Sequence, residues 1–317
     1  MEFLKALESI RIPLLDRIMQ AFTYLGEETV FMVLALVFFW CVDKWKGYYL
    51  LSTGFVGTML SQGLKLLCRV PRPWVRDPAF TVVESAKRGA TGYSFPSGHS
   101  QSAACSLGGM ARLTKRRWLR RTLSVLVLLV GFSRMYLGAH YPSDVAVGLV
   151  LGALTVLVMY PVFRQARENP RFMLGLLAVL LVLTLGYLAF VRFRQFPADA
   201  YETDVNTQTS NYSNALKNAW SLLGSLLGLI AAYLADRKIR FSEKAPLPGQ
   251  ICKLVLGLLL LVGIRAGLKA LFGLISDAPY WNALRYFCMV FFAGAIWPLS
   301  FPFWARLGAK QPQKGDK

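Results

Sequence analysis

Long apolar stretches separated by short polar loops make up most of the chain after residue 28. We predict helical spans at residues 29–43, 48–67, 98–112, 122–139, 143–163, 172–191, 215–235, 251–275 and 284–303. A helix needs about 20 residues to cross the hydrocarbon core of a bilayer, so the first and third stretches are short for this role. The pattern predicts an all-α fold, a polytopic membrane helix bundle with about nine transmembrane helices.

The N-terminal 25 residues show a different pattern, in which charges alternate with apolar residues at helical spacing. Phe3, Leu7, Ile10 and Leu14 repeat every three or four positions, and charged residues lie between them. This arrangement is typical of a helix that lies along the membrane surface with one face in the lipid. We therefore expect residues 1–27 to form an amphipathic interfacial helix.

The charge balance is strongly basic, with 36 Lys and Arg against 17 Asp and Glu, in a chain that is 55% hydrophobic. The basic residues are scattered over short loops between apolar spans and form no concentrated patch. Anionic headgroups and the positive-inside rule account for such a distribution better than nucleic acid does. We expect membrane lipids as partners and no nucleic acid.

Loop charge also predicts orientation. The loop at residues 112–121 holds six basic residues and no acidic one, whereas the loop at residues 197–214 holds three acidic residues and no basic one. Because basic loops stay in the cytoplasm, nine spans put the C-terminus inside and the N-terminal helix outside. We expect an integral protein of the bacterial cytoplasmic membrane.

The chain has only two histidines, and each lies in a short polar motif at the end of a predicted span. One motif is Phe-Pro-Ser-Gly-His at residues 95–99, and the other runs from Ser133 to Asp144. A third polar motif, from Lys65 to Pro73, closes the second span. The predicted topology places all three on the extracytoplasmic face, so we expect one site there.

The residue types in these motifs suit phosphoryl chemistry. Arg72 and Arg134 carry planar forks that match phosphate oxygens, and Lys65 adds a point charge. Ser97 is a plausible N-cap, and Gly98 permits close approach to the backbone amides of a helix start, which favour an anion. The five residues therefore form a predicted phosphate-binding set.

The remaining polar residues provide a nucleophile and a proton carrier. Asp144 follows His140 by four positions, so that its carboxylate can orient one ring nitrogen and leave the other free to attack phosphorus. His99 then remains as general acid, and as base to water in a second step. Each motif alone has a structural alternative: a loop-to-helix junction, an interfacial arginine before a helix stop, and a His–Asp pair that caps span five.

Together, the motifs Lys-x6-Arg-Pro, Pro-Ser-Gly-His and Ser-Arg-x5-His-x3-Asp resemble the signature of the type 2 phosphatidic acid phosphatase superfamily. The resemblance implies that His99 acts as the acid and that His140 becomes a phosphohistidine, with no metal or other cofactor. It also implies that Lys65, Arg72, Ser97, Gly98 and Arg134 bind the phosphate. The expected organisation is an interfacial helix at residues 1–27, a catalytic six-helix core at 28–191, and a C-terminal extension at 192–317 with three further transmembrane helices and a basic cytoplasmic tail.

These observations favour a metal-independent membrane phosphatase that hydrolyses a lipid phosphomonoester or diphosphate at the extracytoplasmic face. Candidate substrates are undecaprenyl diphosphate, phosphatidylglycerol phosphate, phosphatidic acid and sphingoid phosphate. Three alternatives stay open: a lipid phosphotransferase with the same phosphohistidine, a sugar phosphatase like glucose-6-phosphatase, and a phospholipid-binding transporter or scaffold.

Two further features of the sequence lie outside the three motifs. Arg265 and Lys269 lie one turn apart within span eight, where charge is expensive and often functional. The two side chains are candidates to bind a second phosphate or a lipid headgroup; the alternative is that they extend toward the outer interface or pair with another helix. Trp74, Arg76 and the loop at residues 77–94 lie between two motifs and are expected to shape the entrance to the site.

Overall fold

The computed structural model describes residues 1–204 and 209–307, and most of them are helical. The N-terminal segment forms two helices, α1 (Glu2–Ser9) and α2 (Pro13–Tyr24). The prediction of a single helix within residues 1–27 is therefore wrong at residues 10–12. Ile12 is extended and Pro13 occupies the first turn of α2, where a proline has no N–H to continue the preceding helix.

The described residues after α2 form thirteen further α-helices. They are α3 (Glu28–Val37), α4 (Lys44–Cys68), α5 (Pro73–Arg76), α6 (Glu84–Arg88), α7 (Gly98–Ala103), α8 (Gly109–Leu113), α9 (Arg117–Tyr136), α10 (Pro142–Glu168), α11 (Pro170–Phe193), α12 (Asn211–Ile239), α13 (Leu247–Ile275), α14 (Trp281–Phe291) and α15 (Phe301–Arg306). Turns of π-helix at Phe38–Val42, Ala104–Gly108 and Phe292–Ile296 follow α3, α7 and α14. Two-residue strands, β1 (Thr203–Asp204) and β2 (Thr209–Ser210), pair antiparallel.

Five helical segments among the described residues are long and apolar enough to cross a membrane. They are α10, α11, α12, α13 and the continuous stretch Trp281–Arg306, and they coincide with predicted spans five to nine. A sixth span results if α2 and the segment Glu28–Val42, which meet at 49°, are counted as one bent span. The protein is an all-α membrane protein. The count of nine spans and the interfacial position of the N-terminus stay predictions.

The helices group into two compact units. The first consists of Met1–Ala35 and Tyr48–Ala219, and the second of Leu36–Gly47 and the described residues from Trp220 onward. All three polar motifs belong to the first unit.

In the first unit, two glycines bring α7 against α10. A Cβ added at Gly148 would lie 2.6 Å from the carbonyl oxygen of Ser97, and one added at Gly152 would lie 2.7 Å from that of Gln101. Neither position has room for a larger residue, so the two helices approach at backbone distance. Because α10 begins just after His140, this packing holds the second and third motifs together.

In the second unit, buried polar side chains bond to backbone carbonyls. Trp40 Nε1 donates to the carbonyl of Ala293 at 2.9 Å, and Lys253 Nζ donates to that of Glu243 at 2.9 Å. Arg265 and Lys269 are exposed on α13. Their exposure counts against pairing with another helix, and it suits either contact with a lipid headgroup or extension toward the membrane interface.

Candidate active site

Arg72 joins the first motif to the third. Its Nη1 lies 2.9 Å from His140 Nε2 and donates to the carbonyl of Ala139 at 3.0 Å. The other guanidinium nitrogens donate to the carbonyls of Gly92 and Thr91, at 3.1 and 2.9 Å. Arg72 therefore holds the segment before the second motif against the loop that carries His140.

His140 and Asp144 are almost fully buried, at 2% and 1% exposure. Nδ1 of His140 lies 3.5 Å from Asp144 Oδ2. That oxygen accepts hydrogen bonds from the Tyr141 backbone N–H and from the hydroxyl of Ser94, which itself lies 3.4 Å from Nδ1. The carboxylate is thus fixed beside Nδ1. Because arginine can only donate, its contact with Nε2 requires a lone pair on Nε2 and a proton on Nδ1.

The surroundings of His140 also favour the neutral ring. This residue lies in the loop between α9 and α10. The pKa of its imidazole is well below the ordinary value, chiefly because the ring is buried. The positive charges of Arg72, Arg134 and Lys65 lower the pKa further. A neutral imidazole with a free lone pair is the form required of a nucleophile.

Arg134, in the last turn of α9, is 1% exposed. Its Nη1 donates to the hydroxyl of Thr23 at 2.7 Å, whereas its Nε and Nη2 have no hydrogen-bond partner among the described residues. Nε–H and Nη2–H lie along one edge of the guanidinium, the edge that binds phosphate with two parallel hydrogen bonds. Leaving such donors unpaired in a buried position is costly, so this edge is a ready anion-binding element.

The second motif opens α7. Ser97 is the N-cap, and its hydroxyl accepts from the Ser100 backbone N–H at 3.4 Å and from the Ser100 hydroxyl at 2.8 Å. A Cβ built on Gly98 would meet nothing within 4 Å, so the space beside this glycine is open. His99 lies in the first turn of α7, where it interacts electrostatically with the positive charges of Arg134, Arg72 and Lys65.

Lys65 is the third cation of the candidate site, after Arg72 and Arg134. It lies in the last turn of α4, is 8% exposed, and its Nζ donates to the carbonyl of Tyr93. The structure thus brings together all eight residues singled out in the sequence, namely Lys65, Arg72, Ser97, Gly98, His99, Arg134, His140 and Asp144. The two imidazoles are also near enough for His99 to influence His140 electrostatically.

Sequence reasoning missed two residues of this site. Ser94 immediately precedes the second motif, and nothing in its type or spacing marks it as a partner of Asp144. Thr23 lies in α2, more than 100 positions from Arg134, which it contacts. A Cβ added at nearby Gly26 would lie 2.7 Å from the His99 carbonyl oxygen. The N-terminal helices therefore form part of the wall of the site.

The N-terminal residues also hold the loop predicted to shape the entrance. Arg11 donates to the carbonyls of Tyr136 and Thr81, both at 2.8 Å, and Lys5 forms an ion pair with Asp77 at 2.8 Å. Arg72 lies over the ring of Trp74, with its guanidinium carbon 5.7 Å from the ring centroid. These contacts fix the start of the 77–94 loop beside the third motif.

Among residues 1–204 and 209–307, no group of three or more His, Cys, Asp or Glu side chains is arranged to hold a metal ion. The arrangement is a buried imidazole beside three cationic side chains, a combination with the groups needed to accept and transfer a phosphoryl group.

Comparison with known proteins identifies the family. Residues 45–168 match the PAP2 superfamily, and residues 220–310 match the transmembrane extension of PAP2 superfamily phosphatases. Phosphatidylglycerophosphatase B of Bacillus subtilis (strain 168) is 33% identical over 163 residues, which cover 47% of this chain and 76% of that protein. Undecaprenyl-diphosphatase BcrC of the same organism is 35% identical over 108 residues, 34% of this chain and half of that protein.

A crystal structure of a transmembrane PAP2-type phosphatidylglycerolphosphate phosphatase from Bacillus subtilis is 30% identical in sequence. It matches with a TM-score of 0.43 over 50% of this chain and 81% of that one. The match at residues 45–168 spans all three motifs. The chain is an integral membrane protein that belongs to the PAP2 superfamily of phosphatases.

Proposed function

We propose that this protein hydrolyses a lipid phosphomonoester or diphosphate at the extracytoplasmic face of the membrane, through a phosphohistidine on His140 and without a metal. The observation that carries the proposal is the state of the His140 ring. Asp144 lies beside its Nδ1, and Nε2 offers its lone pair to Arg72 at 2.9 Å.

In the first step, Nε2 of His140 attacks phosphorus and the bond from phosphorus to the leaving oxygen breaks. The leaving alkoxide, or phosphate in the case of a diphosphate, takes a proton from His99. Arg134, Arg72 and Lys65 face the negative charge on the non-bridging oxygens, which electrostatic catalysis requires. Arg72 exchanges its contact with Nε2 for one with the incoming phosphate, since both use the same N–H.

In the second step, His99 takes a proton from water, whose oxygen attacks phosphorus. The bond between phosphorus and Nε2 breaks, and its electron pair returns to the imidazole as phosphate leaves. Asp144 stabilises the positive charge that the ring carries while it is phosphorylated, and Ser94 keeps the carboxylate in place. Water and lipid phosphate are the only reactants, so the cycle restores both histidines.

A lipid substrate is supported by the position of the motifs. Lys65, Arg134 and His140 lie at helix ends, where a phosphate can enter while its acyl chain stays in the bilayer. The names of both relatives, a phosphatidylglycerophosphatase and an undecaprenyl-diphosphatase, denote lipid substrates. The extracytoplasmic face is supported by charge, because the strongly basic segment at residues 112–121, where α8 ends and α9 begins, lies at the opposite end of α9 from the third motif.

Purified protein assayed across phosphatidic acid, phosphatidylglycerol phosphate, undecaprenyl diphosphate and glucose 6-phosphate is expected to release inorganic phosphate from at least one lipid. We expect the rate to be unchanged by EDTA, because the cations of the site are side chains. Loss of activity in EDTA, restored by a divalent cation, would contradict the metal-free mechanism.

Four further outcomes decide between the proposal and its alternatives. Transfer of labelled phosphate to a second lipid, with no free phosphate, indicates a phosphotransferase. Release from glucose 6-phosphate alone indicates a sugar phosphatase, and tight lipid binding without turnover indicates a binding protein. In oriented proteoliposomes, release only from substrate added on the side of the C-terminus would contradict the proposed face.

A further inference from the structure

A small pocket in the first unit borders the candidate active site. Four carboxamides line it, namely Gln62 on α4 and Asn211, Asn214 and Asn218 on α12, together with Lys65 and the segment at residues 91–93. The three asparagines follow at intervals of three and four, so they lie on one face of the first two turns of α12. Gln62 and Lys65 are three apart on α4, which likewise places them on one face.

The pocket shares a wall with the phosphate-binding residues. Lys65 lines the pocket and donates to the carbonyl of Tyr93, while Arg72 donates to the carbonyls of Gly92 and Thr91. The segment at residues 91–93 is therefore held by two residues of the candidate site and also lines the pocket. A group bound there is adjacent to a phosphate bound at Lys65.

Two of the carboxamides are anchored and two have free hydrogen-bonding groups. Asn214 exchanges hydrogen bonds with the Thr209 hydroxyl at 2.9 and 3.1 Å, and Asn211 lies within hydrogen-bonding range of the Tyr93 hydroxyl. Gln62 and Asn218 form no side-chain hydrogen bond with the described part of the chain, and both are half-buried. Their donors and acceptors are available to a ligand.

The chemistry of the lining favours a hydroxyl group over a second phosphate. A carboxamide both donates and accepts hydrogen bonds, and so does a hydroxyl, whereas a phosphate only accepts from such groups. Lys65 is the single cation among the lining residues, and it already belongs to the set expected to bind the first phosphate. A second phosphate would bring further negative charge without a further cation to offset it.

The asparagines of the pocket also lie outside both family matches, which end at residue 168 and resume at residue 220. We propose that this carboxamide pocket binds a free hydroxyl on the alcohol to which the phosphate is esterified. The pocket thereby selects lipid phosphates with a hydroxyl-bearing headgroup, such as a glycerol or sugar. This inference rests on the proposed function, since it names the substrate class of the same site.

The test compares kcat/KM for phosphatidylglycerol phosphate, whose terminal glycerol has a free hydroxyl, with that for phosphatidic acid of the same acyl chains, which lacks one. The native protein is expected to prefer the hydroxyl-bearing lipid. Asn218→Ala and Gln62→Ala should each lower the ratio of the two values about three- to tenfold, the effect of one lost hydrogen bond. Gln195→Ala, which removes an exposed carboxamide outside the pocket, should leave the ratio unchanged.

Asn218 and Gln62 lie on different helices, so misfolding of one variant would not explain a lowered kcat/KM ratio in both. An unchanged ratio in both variants overturns the inference while phosphate release continues, so the proposed function survives. A loss confined to undecaprenyl diphosphate assigns the pocket to a second phosphate and also overturns the inference. Absence of phosphate release from every lipid by the native protein defeats both proposals.

Discussion

His140→Ala is expected to lower the rate of phosphate release by at least about 10³-fold on every substrate, because it removes the only nucleophile of the proposed mechanism. Nε2 of this residue is the one imidazole nitrogen in the site that combines a lone pair with a carboxylate on the opposite side of its ring. Substrate binding should be largely retained, since Arg134 and Lys65 are unaltered. The measurement is steady-state phosphate release from the purified variant.

The matched control is Val150→Ala, which truncates an exposed side chain on α10, the helix that follows His140. It should retain the native rate. Both variants should elute from size-exclusion chromatography in detergent as the native protein does. Native-like activity of a folded His140→Ala protein would show that another group attacks phosphorus.

Arg134→Lys is expected to lower kcat/KM by about 10²-fold, in line with the loss of one preorganised donor in an oxyanion site. Lysine keeps the charge but replaces the planar edge formed by Nε and Nη2, the two nitrogens that have no protein partner. It therefore cannot form two parallel hydrogen bonds to the phosphate. The measurement is kcat/KM on the best lipid substrate of the panel.

Arg120→Lys is the control for the Arg134 variant, because Arg120 is exposed in the basic segment at the other end of α9. The same chemical change there should leave kcat/KM within the error of the native value. Equal activity of the two variants would mean that charge alone, and not the shape of the guanidinium, is required at position 134.

Much of the candidate site could be predicted because most of its residues lie in short sequence motifs. His140 and Asp144 are four positions apart, and the helix start between them brings the carboxylate beside the ring in any protein with this local sequence. Ser97 as an N-cap follows from the same kind of local rule. The sequence predicted that Arg72 and His140 belong to one site, because the three motifs fell on one predicted face, but it did not predict the contact between their side chains.

Residues whose role depends on tertiary packing could not be predicted in this way. Thr23 meets Arg134 because the break at Pro13 and the bend before Glu28 direct α2 toward the site, and no periodicity encodes that path. Asn218 falls at the start of the predicted apolar span at residues 215–235, and Asn211 and Asn214 lie before it. The hydrophobic pattern therefore did not group the three asparagines on one helix face. The structure places α12 from Asn211 onward, four residues before the predicted span, and so reveals that face.

The helices of the fold also differ in how well the sequence predicted them. The helices that pass as membrane spans on composition alone, from α10 onward, were predicted closely. The earlier helices carry polar groups of the site, such as Lys65 in α4 and Arg134 in α9, and these lower their apolar character. The polar residues of the candidate site therefore lower the mean hydropathy of the helices that contain the motifs, and these helices are harder to recognise as membrane spans.

The central claim is that Nε2 of His140 accepts the phosphoryl group, and rapid-quench trapping tests it most directly. The protein is mixed with lipid labelled in its terminal phosphate, quenched in base and digested, and the labelled peptide is identified by mass spectrometry. The account predicts an acid-labile, base-stable phosphate on His140 that forms before free phosphate appears. Label on a different residue, or full-rate phosphate release with no labelled protein at any time, would contradict it.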